Sequence, residues 1–158
     1  MDGQRRRVVF ENLDEVVGDV RNLLANGYTA GGNWNLSQVC AHLNDWMRFP
    51  MDGYPRAAVP IRALLWLMKV TIGRKQLKMI LVEGFSAQTP TMPQTVHAAE
   101  STSDAAAVEQ FLETLQRFKD FDGPPAASPV FGELSPDESM RLQLRHCAHH
   151  LSFLSPNA

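Results

Sequence analysis

The sequence is short of the features that commit a chain to an easily recognised class. It has two cysteines in 158 residues, Cys40 and Cys147, too few for the disulfide framework of a small secreted scaffold. Charge of one sign is also missing: 15 Lys+Arg stand against 17 Asp+Glu, for a net −2, and the longest basic run is Arg5, Arg6 and Arg7. That balance gives no field for a phosphate backbone, so nucleic acid is not expected as a partner. Long apolar runs are absent as well. The most apolar stretch, Ala57 to Val70, is interrupted by Pro60, Arg62 and Lys69 and falls short of the ~20 residues of a membrane span. No apolar segment follows the early arginines, so the expected localisation is cytoplasmic, with both thiols reduced. There is no internal repeat, no long alternating run typical of strands, and no Ser-His-Asp or paired-carboxylate arrangement offering a metal-free catalytic route.

What is present is enough to fold. With 44% hydrophobic and 20% charged residues, residues 1–158 are expected to form a single domain that buries about two thirds of its extended surface. Leu13, Val16, Val17, Val20, Leu23 and Leu24 recur at helical spacing, with Asn12 and Glu15 placed as a capping box, so a first helix is expected from about Leu13 to Asn26. A second carries Leu36, Val39, Cys40, Leu43, Trp46 and Met47, is capped by Asn35 and Gln38, and should end near Phe49, before Pro50. From Ile61 to Val82 the pattern is helical and apolar on all sides, the mark of a core or interfacial helix and normally of a buried one, with Gly73 placed to bend or divide it.

The stretch from Gly84 to Thr102 holds Pro90 and Pro93 and has no period; it is either a lid or an ordered surface loop. Val108, Phe111, Leu112, Leu115 and Phe118 then mark a helix from about Ser103 to Phe121, with Ser101 and Asp104 at capping-box spacing. Ser135, Pro136, Asp137 and Glu138 supply the strongest helix start in the chain. The only extended segment expected is a short lead-in from Arg7 to Phe10. Four amphipathic helices and one crossover helix point to an all-α bundle.

Four of the five histidines lie on the second and last of these helices. His146 and His150 are about 40° and one turn apart, so their rings can converge on one point, the spacing by which a helix chelates a metal. The pair borders the apolar stripe of its helix, and His42 borders the stripe of the second helix beside Trp46 and Phe49. If the two helices are neighbours, three imidazoles reach one divalent ion and leave a position for water or substrate. Taken singly, each histidine is as well explained by a bond to a carbonyl at a core boundary, and HxxxH without the glutamate of HExxH is no zincin motif. His149 lies about 60° beyond His146, away from the stripe, at the surface or behind the ligands. Asp45 and Gln38 flank His42 at helical spacing, where they orient its ring, bond a metal-held water, or belong to a solvated face. His97 falls in the long loop, in solvent unless that loop folds over the site. Cys40 and Cys147 point into the core as small apolar side chains. Arg62, Lys69, Arg74, Lys75 and Lys78 form either a solvated edge or a surface for an anionic ligand or membrane.

These residues carry a resemblance. Trp34 to Leu43, WNLSQVCAHL, together with Phe131 to Leu154, FGELSPDESMRLQLRHCAHHLSFL, resembles the DinB/YfiT-like superfamily of metalloenzymes, and within it a bacterial branch of domain-of-unknown-function proteins. The resemblance implies a four-helix bundle in up-down-down-up order, with the Ile61 to Val82 helix in the crossover between its second and third helices. It implies one divalent metal, nickel or zinc, on His42, His146 and His150, and relatives that use a low-molecular-weight thiol for transfer or isomerisation. Where better-known members commonly continue with a glycine-glutamine pair, this chain has His-His-Leu-Ser-Phe-Leu. The expected function is therefore metal-dependent activation of a thiol or water toward a small-molecule substrate, with a non-catalytic metal- or ligand-binding bundle, in either case with the option of a homodimer, as the alternative.

Overall fold

Side-chain caps set where the helices begin. A computed structural model of the chain describes residues 5–87 and 89–157. Helix α1 (Leu13–Asn26) starts at Asn12, whose side chain accepts from the Glu15 amide. Helix α2 (Leu36–Asp52) starts on a full capping box of Asn35 and Gln38. Helix α3 (Val59–Met68), a π-helical turn (Lys69–Gly73) and helix α4 (Arg74–Glu83) follow one another without a break. Helix α5 (Asp104–Lys119) and helix α6 (Pro136–Leu151) begin at Ser103 and Ser135, the latter with a capping box to Glu138 and proline in its first turn. Each such cap satisfies amide groups that the first helical turn otherwise leaves without partners.

Helices α1, α2, α5 and α6 share one core. Val16, Val20 and Leu23 of α1 meet Leu43 and Met47 of α2, Phe111 and Leu115 of α5, and Cys147 and Leu151 of α6, each at most 1% exposed. Large apolar side chains buried to this degree contribute about 1.5–3 kcal/mol each. A smaller cluster seats α4 on α6 through Leu77, Leu81, Leu134 and Leu142. Among the described residues no helix is long and apolar enough to cross a membrane.

Four sequence expectations are corrected. Helix α2 runs past Phe49 and carries Pro50 inside it. A proline cannot donate to the carbonyl four residues back, and that carbonyl, on Trp46, instead accepts from Gln143 Nε2 of α6 at 3.1 Å. The missing bond thus becomes a link between helices. Second, among the described residues there are two three-residue strands that no alternating run predicts, β1 (Tyr28–Ala30) and β2 (Leu154–Pro156), paired antiparallel. Third, Ser103 rather than Ser101 caps α5. Asp104 reaches across to α2, accepting from the Ser37 amide at 2.8 Å and from the Tyr28 hydroxyl at 2.9 Å.

Fourth, the apolar segment Ile61–Val82 is not buried on all sides: its α4 part packs inward, through Leu77 and Leu81. No residue of α3 is buried, and Trp66 is 59% exposed. Periodicity shows that a helix is apolar all round but cannot show what covers it. Gly73 falls where the expected division lies, at the last residue of the π-helical turn that separates α3 from α4. It stands where the π turn meets α4, in helical backbone, and a Cβ there would lie 2.2 Å from the Val130 carbonyl oxygen. The close approach of two backbones, not a turn, requires glycine.

Candidate metal centre

Helices α2 and α6 lie side by side, and their histidines meet. The Nε2 atom of His146 is 3.2 Å from that of His42 and 3.1 Å from that of His150. One ring nitrogen from each of the three falls within 4.8 Å of the others. Tetrahedral ligands at the usual zinc–nitrogen distance of 2.0–2.1 Å are about 3.3 Å apart, so two of the three separations already match shared coordination. Exposure is 1% for His42, 8% for His146 and 9% for His150.

The orientation of His42 has a traceable cause. Its Nδ1 lies 3.0 Å from the backbone oxygen of Thr95. A carbonyl only accepts, so Nδ1 carries the proton and Nε2 presents a bare lone pair toward His146 and His150. Such a backbone acceptor behind a ligand histidine holds its tautomer and its ring plane. Burial keeps all three rings neutral. It lowers His42 to about 4, against the opposing bond to Thr95, lowers His150 to about 2, with His42 and His149 adding to it, and pushes His146 well below its ordinary value. Neutral imidazole is the form that ligates.

Aromatic rings wall the centre. Trp34 stacks on His150 with centroids 5.4 Å apart and planes 9° from parallel, Trp46 stands edge-on to His146 at 5.3 Å, and Phe85 lies 5.4 Å from His146. The Trp46 indole N–H is buried and has no partner among the described residues, an uncommon state for a buried donor and one that an acceptor on a bound group would relieve.

The neighbouring residues divide differently from expectation. His149 is not at the surface: it is 8% exposed, and its ring centroid lies 4.7 Å from that of His150. Its nitrogens face away from the centre, Nδ1 lying 3.4 Å from the Arg5 guanidinium while the Phe85 backbone bonds the ring. Burial, with Arg5 second, lowers it to about 4. Arg5 also donates to Ser152 Oγ and lies over the Phe153 ring, so the N-terminal segment covers what the helical wheel leaves open. Gln38 does not reach His42. Its oxygen accepts from the Asn35 amide and its nitrogen donates to the His97 carbonyl. Asp45 accepts from His97 Nε2 at 2.8 Å, which engages both residues with each other and, among the described residues, leaves the three-histidine group without a fourth His, Cys, Asp or Glu ligand.

The long loop is therefore tied to α2 through residues 95, 97 and 99, with the short 3-10 turn Pro93–Thr95 bringing Thr95 to His42. Cys40 and Cys147 are buried free thiols, and burial raises both, Cys147 to about 12. Neither is a thiolate. Sequence reasoning missed Thr95 and Phe85. A backbone carbonyl leaves no residue signature, and Phe85 follows a helix end with no period.

Fold and centre together define a mostly helical protein with a buried three-histidine cluster arranged to hold a metal ion. The chain belongs to the family described as "Protein of unknown function (DUF1569)", whose model matches residues 2–157. Comparison with curated proteins and with solved structures gave no match.

Proposed function

We propose that this protein is a metal-dependent enzyme whose divalent ion, nickel or zinc, is held by His42, His146 and His150. The observation that carries the reading is the convergence of three neutral imidazoles from two helices on one point. Such an ion, when bound, supplies a positive charge that lowers the pKa of a coordinated water or thiol. The protein's own residues orient and shield it. Thr95 aims His42, Gln143 couples α2 to α6 one turn from the ligands, and Trp34, Trp46 and Phe85 exclude bulk water. A set of three protein ligands without a fourth among the described residues supports an open, catalytic position rather than a closed structural one. A low-molecular-weight thiol acting on a small-molecule substrate fits the resemblance to the DinB/YfiT-like proteins better than hydrolysis does.

The same reading takes the chain as one cytoplasmic DinB-like domain, its four-helix bundle made by α1, α2, α5 and α6 in up-down-down-up order, with α3 and α4 in the crossover. Low exposure of the ligands favours a second reading, in which the ion only braces α2 against α6. Elemental analysis of protein purified without chelator, followed by a screen of thiols with electrophilic substrates, tests both. Near one equivalent of metal with thiol turnover that His146→Ala removes supports the enzyme. One equivalent with no turnover and a large metal-dependent rise in melting temperature supports the brace. Less than a tenth of an equivalent, with no uptake on titration, overturns both.

A further inference from the structure

Helix α3 is built as a surface helix would be if turned inside out. Val59, Ala63, Leu64, Trp66 and Leu67 fall within one arc of about 160° on a helical wheel, and all five are exposed. Val70 and Ile72 extend the apolar surface along the π turn, at 55% and 42% exposure. Exposed apolar side chains are ordinary one at a time, but a contiguous set marks a contact surface. Arg62 and Lys69 line one edge of the arc.

Charge selects the occupant. From Tyr54 to Val82 there are six basic residues and no acidic one, in a chain of net −2. Among the described residues Arg56, Arg62, Lys75 and Lys78 enter no ion pair, while Arg74 pairs with Glu138 at 2.8 Å. A symmetric pairing of two copies through α3 would bring these like charges together, a repulsive arrangement. An anionic surface reverses the sign. We propose that the Val59–Glu83 rod docks the protein on anionic lipid bilayers, α3 lying in the interfacial plane with Trp66 and Leu67 among the acyl chains and the basic side chains at the headgroups. An apolar arc with a basic border and an interfacial tryptophan is what such a helix needs, and the short, charged α3 is too interrupted to span. Leu77 and Leu81, packed on Leu134 and Leu142, hold the rod to α6, so docking need not disturb the histidines.

The test is co-sedimentation of the full-length protein with vesicles of phosphatidylcholine mixed with phosphatidylglycerol, and with phosphatidylcholine alone. Binding to the mixed vesicles, little binding to the neutral ones, and release by salt are expected. Arg62→Gln and Lys78→Gln should each weaken the partition about fivefold, at ~1 kcal/mol per basic residue. Trp66→Ala should weaken it at least as much, and Trp66→Phe should restore part of it, with helicity and metal content unchanged in every variant. Equal partition to both vesicle types, or binding that none of these substitutions weakens, overturns the proposal. A dimer that Trp66→Ala dissociates, without vesicle binding, assigns the face to a second copy instead.

Discussion

His146 is the centre of the cluster, and its replacement by alanine is the most exacting test of the metal site. Its Nε2 is the atom common to the 3.2 Å and 3.1 Å separations, so the variant keeps two ligands that no longer have a bridging partner. Structural zinc sites bind with about 10–16 kcal/mol from four ligands, or roughly 3 kcal/mol per ligand. Loss of one corresponds to about 150-fold in affinity, at 1.4 kcal/mol per factor of ten. Competition with a zinc-responsive chelating dye near neutral pH measures this directly. His150→Ala should behave alike, and His149→Ala, whose nitrogens face Arg5 and the Phe85 backbone, should lose less than about tenfold, the lower range for a residue behind the ligands. Metal at 100 times its dissociation constant should add about 2.7 kcal/mol to the stability of the native chain and almost nothing to that of His146→Ala. Equal losses in all three variants would refute the assignment of His149, and an unchanged affinity in His146→Ala would refute the site.

The metal-free protein should lose stability on acidification. Burial depresses His42 and His149 to about 4, so between the ordinary histidine value of about 6.5 and pH 4 the unfolded chain binds more protons, and stability falls with falling pH across that window; urea midpoints that rise on acidification would contradict this. The same depression should let metal stay bound well below pH 6.5, as elemental analysis after dialysis at stepwise lower pH would show. Gly73→Ala places a methyl group 2.2 Å from the Val130 oxygen and should cost on the order of 2 kcal/mol by displacing one of the two backbones, read as a lower urea midpoint; an unchanged midpoint would show that the segment yields freely. Gln143→Leu removes the cross-helix donor to Trp46 and should cost about 1–3 kcal/mol, since it leaves a partly buried carbonyl unpaired, together with weaker metal binding in the dye assay.

Much of the scaffold was legible from spacing alone. The bounds of α1, the box at Asn35, the helix start at Ser135 and the pairing of His146 with His150 all follow from residues three and four apart, because helical geometry converts short sequence intervals into faces. What escaped is non-local or carried by backbone. The β1–β2 pair joins segments more than 120 residues apart with three residues each. Pro50 reads as a stop signal unless Gln143 is known to lie across from Trp46. The burial of His149 depends on Arg5, and the exposure of α3 depends on there being nothing packed over it among the described residues.

The Thr95 contact has a consequence for how this centre can be altered. The oxygen that selects the protonated nitrogen of His42 belongs to the main chain, so it survives any side-chain replacement at position 95, and an alanine scan of the connector would pass over it. Inserting or deleting one residue between positions 89 and 95 shifts the carbonyl register instead. That change would turn the imidazole's lone pair away from its two neighbours while all three histidines of the cluster stayed in the sequence.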